Sequence, residues 1–290
     1  MTRKTRSFRL ILTAAFLVGG LWGCAGPGTS MRATDQSHDE LEAAGDALFE
    51  NGDFALAFVQ YERLLRFDPE NTRILYKKGR TLLAGKMHED AIEAFQEVLE
   101  REPDHAMAYH GMGQAYFALG NHGDAEKQFR KAVELDPTIW RAYSFLGIVY
   151  DYQGRYDRAV REYAVAIELR SDQGFLYNNL GVSYLLSGEY EKAIHAFYRA
   201  IEAGYQENRT YNNLGLALCR LKRYSEALEV FRNGGTEASA YNNVGCVYLE
   251  QGKYREAIKY FERAIEISPT YHEQAGENLT KARMASQQRH

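Results

Sequence analysis

From residue 38 onward, large apolar residues recur in fixed phase with a glycine and an alanine. Glycines at 45, 79, 113, 147, 181 and 215 stand 34 residues apart, and Gly245 follows 30 later. Four residues before each glycine comes Leu41, Leu75, Tyr109, Tyr143, Tyr177, Tyr211 or Tyr241, and three after it Leu48, Leu82, Tyr116, Tyr150, Tyr184, Leu218 or Tyr248. Such spacings share one helical face, so each glycine belongs to the buried stripe of a first helix. Twelve residues after the glycine stands Ala57, Ala91, Ala125, Ala159, Ala193, Ala227 or Ala257. Four further on comes Tyr61, Phe95, Phe129, Tyr163, Phe197, Phe231 or Phe261. These predict a second helix. Pro69, Pro103, Pro137 and Pro269 close four of the units, because a helix interior does not pass through proline.

The pattern predicts seven repeats, at 38–71, 72–105, 106–139, 140–173, 174–207, 208–237 and 238–271. A lone helix pair cannot bury its apolar face, so the units must stack. These residues resemble the tetratricopeptide repeat family, whose unit is a 34-residue helix-turn-helix. The resemblance runs from His38 to Tyr271. It implies an all-α fold, a right-handed superhelical solenoid of seven repeats. Lys78 stands where later units carry Met112, Leu146, Leu180, Leu214 or Val244, and is expected to snorkel its ammonium outward. The sixth unit is four residues short, and Gly234-Gly235 is expected to end its second helix with a left-handed residue. A tolerated deletion and a partner-shaped notch both fit that shortening. Ala275, Leu279 and Ala282 predict a capping helix within 272–290, with a frayed tail from Ser286.

Ahead of the repeats, Arg3, Lys4, Arg6 and Arg9 precede an apolar run from Leu10 to Leu21, the order of an export signal. At 12 residues the run is shorter than the ~20 that span a bilayer. Leu21-Trp22-Gly23-Cys24 resembles a bacterial lipobox. That implies a signal peptide over 1–23, lipidation of Cys24 and, with Ala25 rather than aspartate next, the periplasmic face of the outer membrane. An ordinary signal peptide, an uncleaved anchor or a solenoid free in the periplasm are the alternatives. Residues 24–37, rich in Gly, Pro and small polar residues, read as a flexible tether.

The formal net charge is -4, and loss of the first 23 residues with their four basic groups would bring it to -8. A surface of that sign repels phosphate backbones, so nucleic acid is not an expected partner. Phosphate loops, nucleophile elbows and dinucleotide fingerprints are missing. His272-Glu273-Gln274-Ala275-Gly276 starts like a zinc helix motif, but glycine stands where the second histidine is required. No cofactor, metal or enzymatic activity is therefore expected; an active site assembled only in three dimensions would need a deep polar pocket with perturbed acids. Cys219 and Cys246 lie on first helices of adjacent repeats, where a disulfide and two free thiols both fit. Tyr156, Tyr190, Tyr224 and Tyr254 follow the inter-helix turn in regular phase and read as packing.

First helices line the inner face of a solenoid of this kind. Only the last three repeats carry a doubled asparagine there: Asn178-Asn179, Asn212-Asn213 and Asn242-Asn243. A side-chain amide accepts from a peptide N–H and donates to a peptide C=O, so a row of them can hold an extended segment. Val182 and Leu216 would take its alternate side chains, and Arg141 and Arg209 flank the row. In related repeat proteins asparagines of this part line peptide grooves, and the resemblance gives that role to Asn179, Asn213 and Asn243. Bracing between helices is the competing role. The layout also resembles lipoproteins that assist secretin and pilus assembly, which implies a secretin, a pilus component or, in the rival reading, a cell-wall hydrolase or synthase as partner. No oligomeric state is implied.

Overall fold

The computed structural model describes residues 37–268 and 272–288, and these form fifteen α-helices with no strand among them. Cys24, the expected signal segment, all of the tether but Ser37, and Pro269 lie outside the described residues. The seven repeats supply the pairs α1 (His38–Glu50) and α2 (Phe54–Leu65), α3 (Thr72–Ala84) and α4 (His88–Arg101), α5 (Ala106–Ala118) and α6 (His122–Leu135), and α7 (Trp140–Tyr152) and α8 (Tyr156–Leu169). There follow α9 (Gly174–Leu186) and α10 (Tyr190–Glu202), α11 (Asn208–Arg220) and α12 (Tyr224–Asn233), and α13 (Glu237–Glu250) and α14 (Tyr254–Ile267). The last described helix is α15 (His272–Gln287), which runs further into the polar tail than its sequence suggests. Together the pairs make the right-handed superhelical solenoid.

What joins the two helices of a repeat is one steric fit. A Cβ added at Gly181 would lie 2.7 Å from the ring of Phe197, and one at Gly215 only 2.5 Å from Phe231. The other phased glycines meet the aromatic of their own second helix in the same way. The alanine one turn earlier is fully buried in every repeat, so both helices approach with almost nothing between them but the ring.

Each intra-repeat turn requires one residue at positive φ, seven after the phased glycine. Gly52, Gly120, Gly154, Gly188 and Gly252 hold that place, whereas Lys86 (φ 62°) and Lys222 (φ 63°) hold it in the second and sixth repeats. A side chain there costs roughly 1–2 kcal/mol, so these two turns carry strain that the other five lack.

Two expectations change. Lys78 does not send its ammonium into solvent: Nζ pairs with Glu62 Oε1 of the preceding repeat at 2.8 Å. Gly234 is not left-handed, since its φ is -92°. Its value is smallness, because a Cβ there would stand 2.6 Å from Tyr211 Cβ and 3.1 Å from the carbonyl oxygen of Asn208. The shortened unit then restarts through a capping box, in which Thr236 Oγ1 accepts from the Ser239 N–H at 3.1 Å and Ser239 Oγ accepts from the Thr236 N–H at 2.8 Å.

The apolar interior forms four clusters along the array, each built from sequence-adjacent helices. At the far end Ala275, Leu279 and Ala282 of α15 are buried, the last two against Ala257 and Phe261. Leu279 stands 34 residues after Gly245, at the place where a further repeat would carry its glycine.

Candidate functional site

First helices of successive repeats touch directly, α3 with α5, α5 with α7 and onward to α13 with α15, while second helices make no comparable contact among the described residues. The first helices therefore crowd the inside of the curve. The asparagine pairs project from α9, α11 and α13.

Neighbouring residues on a helix point about 100° apart, and the two members of each pair are used differently. Asn178 and Asn242 are 4% and 2% exposed. Asn178 Oδ1 accepts from Thr210 Oγ1 of the next repeat at 3.1 Å, and Asn242 Oδ1 accepts from Asn278 Nδ2 of α15 at 3.0 Å. Both are braces, with no amide edge left for a ligand, so the groove assigned from sequence narrows by two residues. Asn212 is exposed, and its Oδ1 accepts from Asn243 Nδ2 at 3.4 Å. The same seam continues through buried His110 and Ser144 and reaches Glu42, whose carboxylate pairs with Arg73 and Lys77 of the second repeat, both at 2.6 Å.

The second members stay accessible. Asn213 is half-buried and its amide bonds no protein group among the described residues. Asn179 accepts from Asn178 Nδ2 at 3.2 Å, which leaves its own Nδ2 as a free donor. Asn243 donates to Asn212 and keeps a free Oδ1. Along three repeats the available groups are thus a donor, a full amide and an acceptor. Val182 and Leu216 are half-buried beside them. Arg141 and Arg209 are exposed and form no ion pair among the described residues; Arg141 lies over the Trp140 ring at 4.5 Å and Arg209 over that of Tyr205 at 5.5 Å. Stacking holds each guanidinium, and Arg209 also donates from Nη2 to the Tyr205 hydroxyl.

Cys219 and Cys246 are free thiols. Of the two arrangements left open from sequence, the structure has the free thiols and not the disulfide. Cys219 is fully buried and burial pushes its thiol up to about 12; Cys246 accepts from Asn278 Nδ2 at 3.5 Å. Of the four regularly phased tyrosines, Tyr224 stacks on Tyr248 with ring centroids 4.4 Å apart, in keeping with a packing role.

Other titratable groups brace the same face. Burial lowers His110 to about 4, helped by the charge of Arg141, so its imidazole is neutral near pH 7. Asp151 accepts from Ser183 Oγ at 2.8 Å across the repeat boundary and from Tyr163 OH at 3.0 Å. Burial raises its carboxyl above the ordinary range, and the two hydroxyl donors only partly oppose this. A raised acid favours the folded state while protonated in both states, and that advantage is lost as pH rises from the unfolded value through the folded one. Wild type should therefore lose melting temperature across that window relative to Asp151→Asn, whose curve should be flatter. Melting curves between about pH 4 and 7 test this, and parallel curves would refute it.

A cleft with a perturbed acid lies elsewhere. An opening of about 680 Å³ on α6, α7 and α8 is lined by two carboxylates, Glu134 and Glu162, with Tyr150 and three arginines, and burial raises Glu162.

Family models described as tetratricopeptide repeat match residues 73–138, 110–174, 175–203, 209–233 and 238–271. The chain belongs to the tetratricopeptide repeat family. Among solved structures, the C-terminal part of a tetratricopeptide repeat protein from Cytophaga hutchinsonii is 18% identical with a TM-score of 0.63, covering 82% of this chain and 98% of that one. MamA is 30% identical with a TM-score of 0.51, covering 55% of this chain and 94% of its own. YrrB, described as a tetratricopeptide repeat protein with an unusual peptide-binding site, is 24% identical with a TM-score of 0.52, covering 64% of this chain and 97% of its own. No curated protein matches the chain in sequence. Residues 38–72 fall outside every matched segment, yet α1 and α2 place them in the array as a seventh tetratricopeptide unit. As a member of this family the protein is a protein–protein interaction scaffold.

Proposed function

We propose that this tetratricopeptide scaffold is lipid-tethered at Cys24 on the periplasmic face of an outer membrane and holds an extended segment of a partner against α9, α11 and α13. The observation that carries the reading is Asn213, whose amide is free at both ends between the free donor of Asn179 and the free acceptor of Asn243. Peptide backbone offers the matching alternation of C=O and N–H, and Val182 and Leu216 offer apolar contact for its side chains. The partner proposed is a secretin or pilus component, by likeness of the exported, lipobox-bearing layout.

A mild-crosslinking pull-down from the envelope tests both halves. Wild type is expected to recover a secretin or pilus component, and the combined Asn179→Ala, Asn213→Ala, Asn243→Ala variant to lose it without a fall in melting temperature. Identical recoveries would remove the groove, and recovery of cell-wall hydrolases or synthases would replace the partner. Palmitate labelling that persists in Cys24→Ser would remove the tether.

A further inference from the structure

The second helix of the first repeat carries an outer face unlike that of any later repeat. Its inner side is ordinary, with Ala57, Tyr61, Leu64 and Leu65 buried. Its outer side leaves Leu56 56%, Val59 47% and, just beyond the helix end, Phe67 66% exposed. Leu56, Val59, Arg63 and Phe67 follow at i, i+3, i+7 and i+11, which is one helical face. The backbone keeps turning as far as Phe67, whose N–H donates to the Leu64 carbonyl at 3.0 Å.

Repeat packing does not require apolar residues at these places. The position of Leu56 is taken in later repeats by Asp90, Asp124, Arg158, Lys192, Glu226 and Glu256, and that of Val59 by a charged residue or histidine in all six. Two arginines flank the face. Arg63 and Arg66 are exposed and form no ion pair among the described residues, although Arg63 donates to Gln60 Oε1 at 3.2 Å. Of the adjacent acids, Glu62 pairs with Lys78 at 2.8 Å and Asp68 accepts from Asn71 Nδ2 at 3.2 Å, while Glu70 is exposed beyond the helix end.

Apolar side chains flanked by unpaired arginines, in a chain of net charge -4, match a surface with an apolar interior and an anionic rim. Connectivity selects which such surface is near. Thirteen residues separate Cys24 from His38, a reach of at most about 45 Å. An anchor at Cys24 would make contact between the first repeat and the membrane intramolecular, so that a weak surface affinity suffices. We propose that the Leu56, Val59, Phe67 face docks onto an anionic phospholipid surface, an inference that rests on the lipid tether proposed above.

The test uses the full lipidated chain in vesicles of phosphatidylethanolamine and phosphatidylglycerol. An environment-sensitive fluorophore is placed at Val59→Cys or, as control, at Glu229→Cys, the same place in the sixth repeat. Spin-labelled lipid is expected to quench position 59 severalfold more than position 229. The difference should disappear in Leu56→Glu, Phe67→Glu and shrink in vesicles lacking phosphatidylglycerol. A chain that floats with the vesicles but shows equal quenching at both positions overturns the docking and leaves the tether standing. Failure to float, with no palmitate on Cys24, removes tether and docking together. A fluorophore at 59 that is shielded without vesicles and becomes exposed on dilution points to a second copy of the chain, which also overturns the lipid reading.

Discussion

Replacing Phe197 by alanine is expected to lower stability by about 3–5 kcal/mol and to divide unfolding into two transitions. The ring is fully buried and fills the space that Gly181 leaves open. It shares a cluster with Leu214 and Leu218 of the next repeat, so its loss weakens both its own helix pair and the junction beyond. In a stacked array each repeat touches only its neighbours, and a weak central unit has no distant contacts to hold it. Urea unfolding followed by circular dichroism should show two steps where the wild type shows one, with the fastest amide exchange in α9 to α12. A single transition shifted by less than about 1 kcal/mol would mean that the neighbours collapse into the cavity and preserve cooperativity.

Thr210→Val is expected to cost about 1–3 kcal/mol. The hydroxyl of Thr210 is fully buried and donates to Asn178 Oδ1, which would be left without a partner where water does not reach. The loss should be largely recovered in Thr210→Val with Asn178→Leu, because removing both polar groups removes the unsatisfied one. A double-mutant cycle in urea measures the coupling. Partner recovery should be unchanged by Thr210→Val, since the groove amides are on other residues. If recovery falls while stability holds, Asn178 is a ligand group and the division of the asparagine pairs is wrong.

The repeat architecture was legible because its main contact lies within the repeat: glycine, alanine and aromatic meet at fixed separations in every unit. The asparagine pairs were legible only as pairs. Which member faces the neighbouring repeat depends on how the units are rotated against one another, and that rotation follows from many contacts between repeats. Thr210 was missed for the same reason, since a single threonine carries no periodic signal until Asn178 is set against it. Gly234 shows a different limit. A glycine after a helix reads as a left-handed terminator, yet here it is the nearness of Tyr211 that excludes a side chain. The converse holds at Lys86 and Lys222, where nothing in a lysine announces a positive φ.

Leu279 bears on how such an array can grow. Every repeat admits its second helix through a glycine, and in α15 the same phase holds a leucine packed against Ala257 and Phe261. A second helix could not settle on α15 as α14 settles on α13, because the ring it must insert would meet that side chain. Duplication of a unit upstream preserves the pattern at both new junctions, whereas extension past α15 demands that this one residue shrink first. Leu279 is therefore a full stop, and the gene can be lengthened from within more readily than at this end.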